Sequence, residues 1–163
     1  MTSKWGSVLV KNHLADNLSH IRLRRLESSL VKRGYRLKAF KMLRSAMLIF
    51  SERFRLNPVV FVNRMLLSLE PRFDVRKVVK SGRAIPVLFP IRPNRRIFLS
   101  VKFLVEAVKM RQRRNRCSTV LALVSEFSSF HLRRRYSRSV VQRKNFLTRS
   151  RGLGRTIWDV KRF

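Results

Sequence analysis

The chain has 163 residues, enough for one domain of ordinary size and too few for two. Lys and Arg number 39 against 8 Asp and Glu, a formal net charge of +31. Such charges repel one another within the physiological Debye length of about 8 Å, so a compact state needs an anionic partner, and a free-standing cytosolic enzyme is not expected.

A folded core is still expected, because 45% of residues are hydrophobic and 12 are Phe. No uncharged stretch approaches the ~18–20 apolar residues of a membrane span. Cys117 has no partner for a disulfide and no Cys cluster for zinc, which makes a reducing compartment the default. Met1 to Lys11 lacks a charged-then-apolar signal pattern, and Lys4 and Lys11 alone do not make an Arg-rich amphipathic face.

Taken in order, residues 1–18 read as an N-terminal arm. Leu23, Leu26 and Leu30 then keep helical spacing, and Gly34 is placed to close that helix and begin a turn. Leu37, Phe40, Leu43, Met47, Phe50 and Phe54 mark one face of a second helix, with Lys38, Lys41, Arg44 and Arg53 elsewhere on the wheel. Asn57-Pro58 has the form of an N-cap followed by proline at the first helical position, where no amide hydrogen is needed. The third helix it opens carries Val59, Val62, Leu66 and Leu69 and stops at Pro71.

From Phe73 to Ile91 the period changes to two, with Ser81-Gly82 as the turn, predicting a β-hairpin at 73–91. Pro86 and Pro90 remove ladder donors and restrict the second strand to an edge. Pro93 opens a long fourth helix whose stripe is Ile97, Val101, Leu104 and Val108. Arg95, Lys102, Lys109 and Arg113 lie on another face, and Glu106 sits at ion-pair spacing among them. Cys117, Val120, Leu121, Val124 and Phe127 suggest a fifth helix, with Cys117 as a small buried hydrophobe. A sixth is expected around Val140 to Leu147 within an Arg-rich stretch, Arg133 to Arg155, and Gly152 and Gly154 end it. The expected fold is mainly α: about six helices with one protruding two-stranded hairpin between the third and fourth. Residues 19–150 form the helical domain, and 151–163 a basic tail.

The acids are spread singly, which leaves no carboxylate pair for general acid and base work. Five glycines in these positions write neither a phosphate loop nor a dinucleotide fingerprint, and His13, His20 and His131 lack metal-ligand spacing. No catalytic residue, metal or cofactor is expected. What the chain supplies is cations on separate elements: Arg22, Arg24, Arg25, Lys32, Arg33 and Arg36; Arg76, Lys77, Lys80 and Arg83 on the hairpin; Arg92, Arg95, Arg96 and Lys102; and Arg111, Arg113, Arg114 and Arg116. Any one run is explained by solvation, but the whole surplus matches a polyphosphate. Arg far outnumbers Lys, and its planar fork binds phosphate bidentately and stacks on bases. No zinc finger, zipper or tidy helix-turn-helix is present, so a folded RNA is favoured over DNA. A general nucleic-acid chaperone or DNA-compacting protein is the competing reading, and a cationic membrane-surface protein a third, disfavoured one.

Leu69-Glu70-Pro71, Phe73-Asp74-Val75-Arg76, Gly82, Ile91-Arg92-Pro93-Asn94-Arg95-Arg96 and Val105-Glu106-Ala107 followed by Arg111 resemble the family of small-subunit ribosomal protein seven. Weaker similarity at Leu30-Val31, Gly34 and Ala39, and at Val141, Arg143, Arg155 and Trp158, extends the resemblance over Ile21 to Trp158. Two departures stand out: the family's glycine doublet at the hairpin tip is Ser81-Gly82 here, and Leu88 stands where the family has a proline. The resemblance implies a helical body that binds the 3′ major domain of small-subunit rRNA and organises the subunit head, one copy per ribosome, among neighbouring head proteins. It implies that the hairpin, with Arg76, Lys77, Lys80 and Arg83, lies near the exit-site tRNA and the mRNA path. Arg92, Arg95, Arg96 and Lys102, with Arg143, then face rRNA. No membrane partner is implied. High Phe and Arg content points to an organellar, mitochondrial ribosome, with another organellar or a bacterial ribosome as the alternative. The charge also suggests a protein only partly folded until rRNA arrives.

Overall fold

The computed structural model describes residues 13–80, 83–132 and 137–148, with side chains from Ile21 onward except those of Lys80, Arg83 and Ile85. In chain order these residues form α1 (His13–Leu30), α2 (Arg36–Phe54), α3 (Pro58–Leu69), β1 (Phe73–Lys80), β2 (Arg83–Pro90), α4 (Pro93–Asn115), α5 (Thr119–Leu132) and α6 (Arg138–Thr148). The mainly helical fold with its hairpin between the third and fourth helices is therefore as the sequence predicts. The Ser81-Gly82 turn, the start of the arm, the run from Arg133 and the tail with Gly152, Gly154, Arg155 and Trp158 lie outside the described residues.

Helix boundaries follow local chemistry. Asn57 caps α3, its side-chain oxygen accepting from the amides of Val59 and Val60 at 3.1 and 3.4 Å, with Pro58 in the first turn. Pro93 likewise opens α4. Helix α1 ends at Leu30, ahead of Gly34, and the connecting turn holds both Arg33 and Gly34 at positive φ, 52° and 81°. It also begins at His13, inside the span read as an arm.

The core joins α1 to α5, and α6 enters it through Val140. Its centre is aromatic: Phe50 of α2 stacks on Phe61 of α3 at 4.4 Å and meets Phe127 of α5 edge-on at 6.0 Å. The stripe on α4 is buried as expected, and Leu99, Phe103, Val105 and Ala107 are buried beside it, so this helix is the central post of the bundle. A satellite cluster of Ile91, Leu99 and Phe103 takes in Phe146 of α6.

Some assigned faces differ. In α2 the inward stripe is Ala39, Leu43, Ala46 and Phe50, while Leu37 is 78% exposed and Phe40 also faces out. Small alanines let the helix approach its neighbours closely, and the bulkier residues that dominate a hydrophobic wheel were assigned in their place. Val59 is exposed at the start of α3. In α5, Leu121 is exposed and the buried face runs through Ala122, Leu123, Val124, Glu126 and Phe127. Cys117 precedes that helix and is only half-buried against the core.

The hairpin pairs Phe73 with Pro90 through Lys80 with Arg83 in unbroken antiparallel register. Asp74, Arg76 and Val78 therefore share a face with Phe89 and Val87. Its strands make their main contacts with each other. Ile91 falls outside the strand; its amide donates to the Arg72 carbonyl at 3.0 Å and closes the hairpin base, while its side chain is buried under α4.

Candidate nucleic-acid interface

The acids decide where the cations go. Glu70 at the end of α3 accepts from Arg22 Nε at 2.8 Å, with the Arg22 side chain only 7% exposed. Lys102 and Glu106 pair along α4 at 3.8 Å, as their spacing predicts. Glu126 is fully buried and is the centre of a larger network. Its Oε2 accepts from Arg111 Nε at 2.6 Å, and its Oε1 accepts from the Ser137 hydroxyl at 2.6 Å and the Ser139 amide at 2.8 Å. Arg111 also donates to the hydroxyls of Ser125 and Ser129 at 3.0 and 2.7 Å. Burial pushes the Glu126 carboxyl up, but the bonds from Ser137, the Ser139 amide, Arg111 and the Ser139 hydroxyl together outweigh it and hold the group below the ordinary carboxylate value.

Two of the expected rRNA-facing residues also pair with acids inside the protein. Arg22 pairs with the half-buried Glu70, and Arg111 with the fully buried Glu126, a carboxylate that burial obliges to have a partner. Two more have a structural share. Arg25 donates to the Asn94 carbonyl at 2.7 Å, tying α1 to the start of α4, and Arg96 Nε donates to the Ile91 carbonyl at 2.8 Å, fixing the hairpin-to-helix connection. Arg143 is half-buried on α6.

The remaining described residues of the predicted set are exposed: Arg24, Lys32, Arg33, Arg36, Arg76, Lys77, Arg92, Arg95, Lys102, Arg113, Arg114 and Arg116. The side chains of Lys80 and Arg83 lie outside the described ones. Half of these cations line up together. Arg76 lies against Phe89 on the hairpin, 5.8 Å from its ring centre. The hairpin leads directly into Arg92 and Arg95 at the α4 start, and Arg95 lies 5.0 Å from the ring centre of Phe98. From there α1 and α4 run side by side, Arg25 beside Asn94 and Lys102, and Lys32 and Arg33 beside Lys109. A continuous basic strip results, from the hairpin along the α1–α4 seam to the α1–α2 turn.

The strip also contains residues outside the predicted cation runs. Lys109 and Lys38 stand over the seam, and Tyr35 and Phe98 place exposed rings at its two ends. Lys109 was legible from its spacing to Lys102. The rings were not, because a lone aromatic beside a turn or on an amphipathic helix reads as core. Helix α5 itself carries neither Lys nor Arg. Among the described residues no group of His, Cys, Asp and Glu is placed to hold a metal ion, and no helix is long and apolar enough to cross a membrane.

A basic strip with interleaved aromatic rings is the footprint of a phosphate-backbone reader. The family model for ribosomal protein S7p/S5e matches residues 6–147, and the chain therefore belongs to that family, whose members are structural, rRNA-binding components of the small ribosomal subunit.

Proposed function

We propose that this protein binds the 3′ major domain of small-subunit rRNA and organises the head of the subunit, one copy per ribosome. The observation that carries this reading is the basic strip running from the hairpin through the α4 start to the α1–α2 turn. Opposing strands of a folded RNA junction supply phosphates along such a length, and arginine forks neutralise them with release of counterions. The hairpin, whose strands lean mainly on each other, is suited to reach beyond the body toward the exit-site tRNA and the mRNA path. Helix α5, which carries neither Lys nor Arg and exposes Leu121 and Leu132, suits neighbouring head proteins. The high Phe and Arg content supports an organellar, mitochondrial ribosome as the site of action.

The test is a binding comparison at matched salt between an rRNA fragment carrying the head junction and unrelated duplex DNA of equal length. The rRNA fragment is expected to bind at least about tenfold tighter, in the manner of a shape-reading protein. Equal affinity for both would return the protein to the class of general nucleic-acid compactors. Co-sedimentation with mitochondrial small subunits checks the location, and recovery only with bacterial or cytosolic subunits would overturn it.

A further inference from the structure

The α1–α4 seam holds more than cations. Between the end of α1, the turn that follows and the second half of α4 lies a cavity of ≈ 470 Å³, within the range of small-ligand sites, about 300–1,000 Å³. Its floor is apolar, from Leu30, Val105 and Val108, and its rim is cationic, from Lys32, Lys38 and Lys109. Among the described residues no Asp or Glu lines it. An apolar floor under a cationic rim suits a ligand that is apolar in one part and anionic in another, and a nucleotide is both.

Tyr35 marks the mouth. It occupies the N-cap of α2 without making a cap bond, where Ser, Thr, Asp or Asn would stabilise the helix, and it is 66% exposed. It follows Arg33 and Gly34, both at positive φ, a backbone that a non-glycine residue adopts only at a cost. Local choices that work against the stability of the fold mark positions kept for another purpose. A second cavity of ≈ 520 Å³ continues along the seam, sharing Ser29, Val105 and Lys109 with the first, lined also by Glu106 in its pair with Lys102, and reaching Phe98, where Arg95 stacks. From Lys109 to Phe98 the groove follows α4 for about 16 Å.

We propose that the cavity beside the α1–α2 turn receives an unpaired base of the rRNA, stacked on Tyr35, with its flanking phosphates held by Lys32, Lys38 and Lys109, and that the seam leads the adjoining nucleotides toward Phe98. This rests on the rRNA-binding reading and adds to it a place where single-stranded RNA, not duplex, is recognised. A duplex conceals its base faces and offers the apolar floor nothing, whereas an extruded base fills it and meets the ring. The chain's own tail is a poor occupant, since Arg151, Arg155, Lys161 and Arg162 against Asp159 would meet a rim of the same sign.

The experiment measures binding of the full chain to a short single-stranded RNA, to the same oligonucleotide without its bases, and to the rRNA head fragment, at one salt concentration. The base-bearing strand is expected to bind at least about fivefold tighter than the abasic one, the scale of one stacked base. Tyr35→Ala should abolish that preference and Tyr35→Phe should keep it. Ser29→Trp, which fills the seam from an exposed position, should abolish it with helical circular dichroism unchanged. Both disruptive variants should still bind the head fragment through the hairpin and the α4 start. Equal binding of base-bearing and abasic strands by the wild type overturns the base pocket and leaves the rRNA reading standing. Failure of the wild type to bind the head fragment overturns that reading itself. An acidic, leucine-bearing peptide that binds in a manner blocked by Ser29→Trp, while RNA shows no base preference, would reassign the seam to a protein neighbour.

Discussion

Glu126 is fully buried and accepts bonds from Arg111 of α4 and from Ser137 and Ser139 at the opening of α6. Replacing it with Gln leaves Arg111 facing an amide, and removing one member of a buried pair typically costs about 3–5 kcal/mol. Arg111 keeps some contact with solvent, its side chain being 13% exposed, so Glu126→Gln is expected to lower stability by about 3 kcal/mol in urea unfolding at neutral pH. The pH dependence has a definite sign. The folded carboxyl is held below its ordinary value, so its contribution is full above the unfolded value of about 4.3 and disappears as pH falls through the folded one. The gap in stability between wild type and Glu126→Gln should therefore narrow as pH is lowered from about 6 toward about 3. A gap that stays constant over that range would mean that the fold does not hold the Glu126 carboxyl below its unfolded value.

At the scale of elements, the connection from the hairpin to α4 separates two adjacent arginines. Arg95 is exposed and lies over the Phe98 ring, while Arg96 donates to the Ile91 carbonyl and holds the turn. Arg95→Ala is expected to weaken rRNA binding and to lower the magnitude of the salt slope by about one, with thermal stability little changed. Arg96→Ala should instead cost about 1–2 kcal/mol of stability, the scale of a hydrogen bond from a charged group, which a thermal melt reads directly. Equal effects of both on the melt would show that Arg95 also packs. In the sequence the two are neighbours in one basic run, and nothing local distinguishes them. The hairpin was legible because alternation and edge prolines have a strict period, and α3 and α4 because Asn57, Pro58 and Pro93 act on the backbone next to them. The Glu126 network was not, since Arg111 lies 15 residues before it and Ser137 11 after. A lone acid in an otherwise uncharged apolar helix was the available signal. The inward face of α2 was misassigned because two alanines, not the larger Leu37 and Phe40, meet the core.

For the molecule as a whole, the acids that could soften a charge of +31 are partly withdrawn from the surface, Glu70 and Glu126 into internal pairs and Glu106 onto Lys102. The cations left outside repel one another along the strip, and they do so most strongly at low ionic strength, when the Debye length is long. Added salt should therefore act on fold and binding with opposite signs. Screening relieves the repulsion, so the melting temperature of the free protein is expected to rise as sodium chloride increases. Binding to the rRNA head fragment releases counterions, so its affinity should fall over the same range. If about six phosphates are neutralised, the slope of log K against log salt is about −4 to −5, roughly a thousandfold loss between about 50 and 200 mM. Calorimetric melts of the free chain and filter binding in the same buffers provide both halves. A melting temperature that falls with salt would mean that the surface cations are neutralised within the protein, and a flat binding slope would mean that the strip does not meet phosphate. Opposite slopes follow if the same exposed charges oppose the fold and bind the RNA, in which case bound rRNA should raise the melting temperature most at low salt, where repulsion and affinity are both greatest.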